Sequence, residues 1–213
     1  MALPKELALI VAATSKNMGI GKNGGLPWTG LRKEMQYFAQ VTQKTKPGQP
    51  TENAVIMGRK TWESIPKKFR PLKMRTNVII SRSHPESGES AGVANKSIQC
   101  NSIDGAMNAI GKQALENQGS ESSKVFVIGG AQIYQAALDI KEAKFILLTR
   151  ILEDFDCDTF FPLKLNADGS GDGWERRSYD FLKAWVGIDV PEGIQEENGI
   201  KYVFEMWQKT DTT

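Results

Sequence analysis

With one histidine and two cysteines among its 213 residues, the chain lacks the side chains that many mechanisms need. His84 stands in the polar stretch Ser83-His-Pro-Glu-Ser-Gly88. A Ser-His-Asp hydrolase would have to hang its base on that loop residue, and a zinc site would lack its commonest ligands, so no metal is expected. Cys100 and Cys157 are too few for a disulfide framework and have no metal-ligand spacing, which suits structural thiols in a reducing compartment. Long apolar runs are missing too: none approaches the ~20 residues of a membrane span. The start, Met1-Ala-Leu-Pro-Lys-Glu6, carries no signal-peptide pattern, and the expectation is a soluble, cytoplasmic protein with no membrane partner. Charge of one sign is also scarce. Against 27 Lys+Arg stand 25 Asp+Glu, so no chain-wide polycation is available as a dedicated nucleic acid site.

What is present is enough for one sizeable core, and a single domain over residues 1–213 is expected. Short apolar, β-branched runs read as strands at Leu7 to Ala13, Ala54 to Met57, Val78 to Ser81, Val125 to Ile128 and Phe145 to Thr149. Their hydrophobicity is continuous, as in parallel strands covered by helices. Helical patterns fall at Leu31 to Lys44, Lys60 to Ile65, Ile103 to Asn117 and Gln132 to Leu138. The fold class is therefore α/β, a mostly parallel central sheet flanked by helices. Trp174 to Phe181 and Ile200 to Gln208 are more polar and alternate, which predicts an antiparallel C-terminal edge. Lys46 to Glu52, Pro85 to Lys96 and Ala167 to Gly173 read as mobile loops.

One acid is out of place. After the breakers Pro27 and Gly30, helical spacing puts Leu31, Glu34, Phe38 and Val41 on one stripe. Glu34 then faces the core or a pocket, where an unpaired carboxylate costs several kcal/mol or takes up a proton. A plain alternative is a buried acid bridged to a backbone amide or a distant arginine.

Between Arg59 and Arg82 the basic residues Arg59, Lys60, Lys67, Lys68, Arg70, Lys73, Arg75 and Arg82 face one acid, Glu63. An anionic ligand suits that stretch, although a solvated face is the ordinary reading of any such run. Gly58-Arg-Lys-Thr-Trp62 leaves a strand and opens a helix, which gathers amides and cations at a positive helix end. Ser81-Arg82 leaves another strand and can complete that phosphate site. Gly129-Gly130 closes a third strand and would let a ligand lie against bare backbone, although tight strand-to-helix packing is the more usual reading of such a pair. Gly19-Ile-Gly-Lys-Asn-Gly24 matches a dinucleotide-binding pattern literally. Leu26-Pro27-Trp28 follows and delays any helix, so it reads as a flexible apolar loop instead.

In order along the chain, these segments resemble dihydrofolate reductase in its eukaryotic, fungal form. The carriers are Met18-Gly-Ile-Gly-Lys-Asn-Gly-Gly-Leu-Pro-Trp28, Leu31-Arg-Lys-Glu34, Val55-Ile-Met-Gly-Arg-Lys-Thr-Trp62, Ile65-Pro66, Arg70-Pro-Leu-Lys-Met-Arg75, Val127-Ile-Gly-Gly130 with Tyr134, and Asp158-Thr-Phe-Phe-Pro162. The resemblance implies reduction of 7,8-dihydrofolate by NADPH, with hydride transfer to C6 and protonation of N5. It also implies a monomer that antifolates would inhibit.

The resemblance further implies residue roles. Glu34 would bind the 2-amino group and N3 of the pterin and, with Leu26 and Trp28, form the catalytic set, water near Leu26 supplying the N5 proton. Val11 and Ala13 would line the pterin site and Thr149 would support the carboxylate. Met35, Phe38, Ile65, Phe69 and Leu72 would surround the benzoyl ring, Ile128 and Tyr134 would also touch substrate, and Arg75 would pair with the glutamate α-carboxylate. On the cofactor side, Arg59, Ser81 and Arg82 would meet the 2′-phosphate, and Lys60 and Thr61 the pyrophosphate. Ala13, Ile20, Gly24, Gly58, Ile128, Gly129, Gly130, Gln132 and Tyr134 would complete that site, with Ile20, Gly129 and Gly130 on the nicotinamide half. Gly25, Thr29-Gly30, Phe69 and Met74 depart from the animal pattern. Alternatives are an NADPH-dependent reductase of another pterin or of a ribosylamino-pyrimidine, which would not need Arg75, or a silent nucleotide- or folate-binding protein.

Overall fold

The computed structural model describes residues 6–45, 52–86, 89–90, 97–116 and 124–210. In chain order the elements are β1 (Leu7–Thr14), β2 (Gly19–Gly21), α1 (Arg32–Gln43), β3 (Asn53–Gly58), α2 (Arg59–Ser64), β4 (Arg75–Ile80), β5 (Glu89–Ser90), β6 (Ser97–Cys100), α3 (Ile103–Glu116), β7 (Val125–Val127) and α4 (Ala131–Leu138). There follow β8 (Ala143–Ile151), β9 (Thr159–Phe160), β10 (Ser170–Gly171), β11 (Trp174–Arg176), α5 (Tyr179–Val186), β12 (Gln195–Glu197) and β13 (Ile200–Lys209). The predicted loops Lys46 to Glu52 and Pro85 to Lys96 lie largely outside the described residues, as does the Asn117 end of the predicted third helix.

Two compact units form. The first takes the described residues up to Ala8 and Thr42–Ala143; the second takes Leu9–Val41 and the described residues from Lys144 on. In the first, the strand order is β7-β3-β4-β6-β5, parallel except for the last pair. Every residue of β3 and β7 is buried, which is why these strands are apolar without alternation. β3 and β4 run in register to their carboxyl ends, with Gly58 opposite Ile80. Arg59 and Ser81 therefore leave adjacent strands at the same level.

In the second unit β8 pairs antiparallel with β13, β13 with β11, and β11 with β10, while β12 folds back on β13. The predicted antiparallel C-terminal pairing is present, with one difference. The run Trp174 to Phe181 is not all strand, because Ser178 accepts a hydrogen bond from the Phe181 amide at 3.2 Å and starts α5, which ends at Gly187 with φ +67°. Such a serine cap satisfies an amide that a strand would have to pair elsewhere. The glycine motif at 19–24 forms β2 and a turn, with no helix behind it. Gly19 has to be glycine, since a Cβ there would overlap the Cys157 side chain. Both cysteines are free.

Arg150 and Glu205 form a buried ion pair in this unit, with Nε to Oε1 and Nη2 to Oε2 both 2.8 Å. Trp207 Nε1 donates to the same carboxylate at 3.0 Å and the Leu165 carbonyl accepts from Arg150. Two-point pairing and extra donors are what make such burial tolerable.

Candidate active site

Of the stripe expected from the sequence, Glu34 and Val41 are buried on α1 and Leu31 is buried just before it, while Phe38 is half-buried and Tyr37 takes the buried place beside it. Glu34 retains 7% of its exposure, and its partner comes from β8, where the Thr149 hydroxyl donates to Oε1 at 3.0 Å. Desolvation pushes the Glu34 carboxyl up to about 7; the Thr149 hydrogen bond opposes this, and the neighbouring Glu197 carboxylate adds to it. Tyr37, buried on the same helix, is pushed upward by burial and by Glu34 and stays a neutral phenol. The site thus holds an acid poised to gain or lose a proton near neutral pH, the condition under which such a group is useful.

Around it in the second unit, Val11 and Ala13 of β1 are buried, Ile20 and Phe38 are half-buried, and Met35 is exposed. Leu26 is 54% exposed, a large apolar side chain left to solvent two residues before Trp28. Trp28 is buried and meets Phe155 edge to face at 5.6 Å. Gly24 turns with φ +78° in an exposed position.

Polar atoms of the first unit gather at the strand ends. Gly58 donates its amide to the Gly129 carbonyl at 2.8 Å, so the ends of β3 and β7 are tied by backbone alone. Gly129 has φ +119°, which favours glycine, and a Cβ on Gly58 would lie 3.0 Å from Ile133. A Cβ on Gly130 would stand 3.3 Å from the Thr61 hydroxyl, and Tyr134 is buried beside Gly129. Ile128 and Thr61 are half-buried and Gln132 is exposed. Arg59, Lys60 and Arg82 are exposed and Ser81 is half-buried, its hydroxyl 3.0 Å from that of Ser83. Arg59 already holds Glu63 at 2.8 Å, a pairing one turn along α2.

The eight cations of residues 59–82 do not make one patch. Arg70 stacks over Trp62, Lys68 lies over Phe69, and Arg75 is buried at the start of β4. Arg75 Nη1 donates to the Thr42 hydroxyl at 2.8 Å and Nε to the Lys73 carbonyl at 3.0 Å. Burial lowers its pKa to about 10, against the pull of Glu52, and it remains a cation at neutral pH. Ile65 and Leu72 are half-buried nearby in sequence, while Phe69 is 56% exposed.

A family model for dihydrofolate reductase matches residues 6–181. The chain is 43% identical to a dihydrofolate reductase of Pneumocystis carinii, over 96% of this chain and 97% of that one. The chain belongs to the dihydrofolate reductase family. Another relative, from Cryptococcus neoformans, is 41% identical and covers 95% of this chain and 94% of its own length. The solved dihydrofolate reductase of Schistosoma mansoni superposes with a TM-score of 0.71 at 33% identity, over 96% of this chain and 98% of the other. The protein is an oxidoreductase that reduces dihydrofolate with NADPH, in the line that includes the fungal enzymes. Glycine backbone beside Thr61 and cations at two strand ends fit a phosphate-bearing dinucleotide.

Residues missed in the sequence also belong here. Glu197 accepts from the Lys33 amide at 2.9 Å and from the Tyr202 hydroxyl at 2.6 Å, and Asn198 Nδ2 donates to the Gly30 carbonyl at 2.8 Å. The Asn198-Gly199 pair between two polar runs is the signal that marks this hairpin.

Proposed function

We propose that residues 1–213 act as one dihydrofolate reductase domain in which Glu34 binds the 2-amino and N3 edge of the dihydropterin. The buried Glu34 carboxyl, held by Thr149 and poised near pH 7, carries this reading. Two N–H groups of the ring would supply the hydrogen bonds that stabilise the ionised form and would offset its desolvation. Val11 and Ala13 would pack on the ring and Trp28 would fix the approach to it. Leu26, an exposed side chain, would limit which water reaches N5, with Glu34 orienting the ring rather than donating the proton itself.

Arg75 would take the glutamate α-carboxylate of the substrate, with Met35, Phe38, Ile65, Phe69 and Leu72 against the benzoyl ring. Thr42 and the Lys73 carbonyl already fix that guanidinium, so little side-chain freedom is lost on binding. Arg59, Ser81 and Arg82 would hold the 2′-phosphate and Lys60 and Thr61 the pyrophosphate. Ala13, Ile20, Gly24, Gly58, Ile128, Gly129, Gly130, Gln132 and Tyr134 would complete the cofactor site. NADPH, when bound, supplies the hydrogen and electron pair delivered to C6.

The protein would act as a monomer in the cytoplasm, a reducing compartment in which free cysteines persist. The decisive experiment follows NADPH oxidation by dihydrofolate in wild type and Glu34→Gln. Reduction should nearly vanish in the variant while NADPH still binds, because only the pterin contact is lost. A single-turnover rate within about twofold of wild type would reject the assignment.

A further inference from the structure

The hairpin between β12 and β13 turns in two residues, Asn198 (φ +51°) and Gly199 (φ +76°), with Glu197 paired to Ile200. Positive φ at both positions matches the right-handed twist of the flanking strands and gives the tightest reversal available. The last side chain before the turn is thereby aimed at a fixed place. That place is the amino end of α1.

Helix α1 follows Gly30 and Leu31, neither of which can cap it with a side-chain oxygen. The cap comes from far along the chain: both Glu197 oxygens accept from the Lys33 amide, at 3.0 and 2.9 Å, and Oε1 accepts from the Glu34 amide at 3.3 Å. Tyr202, buried on β13, donates to Oε1 at 2.6 Å, and Asn198 ties Gly30 from the same turn. The hairpin thus grips the backbone of the residue whose carboxyl meets Thr149.

We propose that Glu197 is a positioning residue for dihydrofolate reduction: its carboxylate fixes the first turn of α1 and holds Glu34 against Thr149. This rests on the reading of Glu34 as the pterin-binding acid. The groups facing Glu34 are Tyr37 on its own helix, Thr149 on β8, Glu197 on β12 and Tyr202 on β13. Burial raises both tyrosines and leaves them neutral, so Glu197 is the anion of this set. It is ionised: burial alone would raise its pKa, but the Tyr202 hydroxyl and the amides of Lys33, Glu34 and Arg32 together bring it below its ordinary value. The same charge that satisfies a positive helix end therefore sets the acid one turn in.

The test is direct titration of the Glu34 carboxyl by carbon-13 NMR in ligand-free wild type, Glu197→Gln and Glu197→Asp, beside the pH profile of kcat/KM for dihydrofolate. Glutamine keeps an oxygen acceptor for the amides and drops the charge, so the Glu34 midpoint should fall by about half a pH unit or more. The pH profile should move the same way. Aspartate keeps the charge but retracts the cap by one methylene: the midpoint should hold while kcat/KM drops by about threefold or more. An unmoved midpoint in Glu197→Gln, or an unchanged kcat/KM in Glu197→Asp, would overturn the proposal. A shifted midpoint with a fixed pH profile would instead overturn the pterin role of Glu34, and the positioning role with it.

Discussion

Thr149 donates its hydroxyl to a carboxylate 115 residues earlier in the chain, Glu34, at 3.0 Å, and both side chains are buried. Desolvation nonetheless outweighs this single neutral donor and holds the acid near pH 7. Its folded-state pKa is raised, so its contribution to stability is fully present below about pH 4.5 and is lost as pH rises to about 7. A shift from 4.5 to about 7 corresponds to a cost on the order of 3 kcal/mol above pH 7. Glu34→Gln is therefore expected to be more stable than wild type at pH 8, with the gain shrinking toward pH 4.5. Urea unfolding at the two pH values checks this. Thr149→Val should raise the Glu34 midpoint further, since the hydroxyl favours the charged form.

Arg75→Leu should raise KM for dihydrofolate by about tenfold or more, the loss of a charge-assisted pair of roughly 1.5 kcal/mol or above. A tail-less dihydropterin should be nearly indifferent to the change. Steady-state kinetics with both substrates decides, and equal effects would make Arg75 a structural residue of β4.

Neutralising Arg59 and Arg82 together should weaken NADPH by roughly a hundredfold and barely alter NADH, at ~1.5 kcal/mol per lost contact. Because both arginines are exposed, the wild-type preference should also fall as salt rises. Glu63 pairs with Arg59 and would compete with a phosphate for it. Glu63→Gln should tighten NADPH by about twofold, the worth of one such helix pair. Isothermal titration of both cofactors to each variant reads all three effects.

Glu205→Ala should destabilise the fold by about 3 to 5 kcal/mol, because it leaves the Arg150 guanidinium buried without its carboxylate. Replacing Arg150 and Glu205 together with apolar residues of similar volume should cost far less. Chemical denaturation of the single and double variants distinguishes a broken pair from a merely replaced one.

Continuous apolar runs marked β3, β4, β7 and β8 to within a few residues, since burial on both faces leaves little else those strands can contain. The misplaced acid on α1 was equally visible, because one charge breaks a helical stripe. Its partner was not visible from periodicity: nothing local in Leu147-Leu148-Thr149 separates a hydroxyl that meets a carboxylate from one that packs. β6 was hidden by its polar composition at a sheet margin, and α5 by a serine cap inside a run read as alternating. Asn198-Gly199 is a turn signal left unread within the polar C-terminal edge, and what it aims Glu197 at depends on the tertiary fold.

The two compact units are interleaved in sequence, one drawing mainly on residues 42–143 and the other on 9–41 and from 144 on. On a ribosome, the first can condense while the chain is still growing. The second has to wait. At roughly 5 to 20 residues per second, Glu34 emerges on the order of ten seconds before Thr149 exists, and α1 stays uncapped until Glu197 follows. The acid acquires its unusual proton affinity only as burial, first of all, and then the Glu197 carboxylate come to surround it.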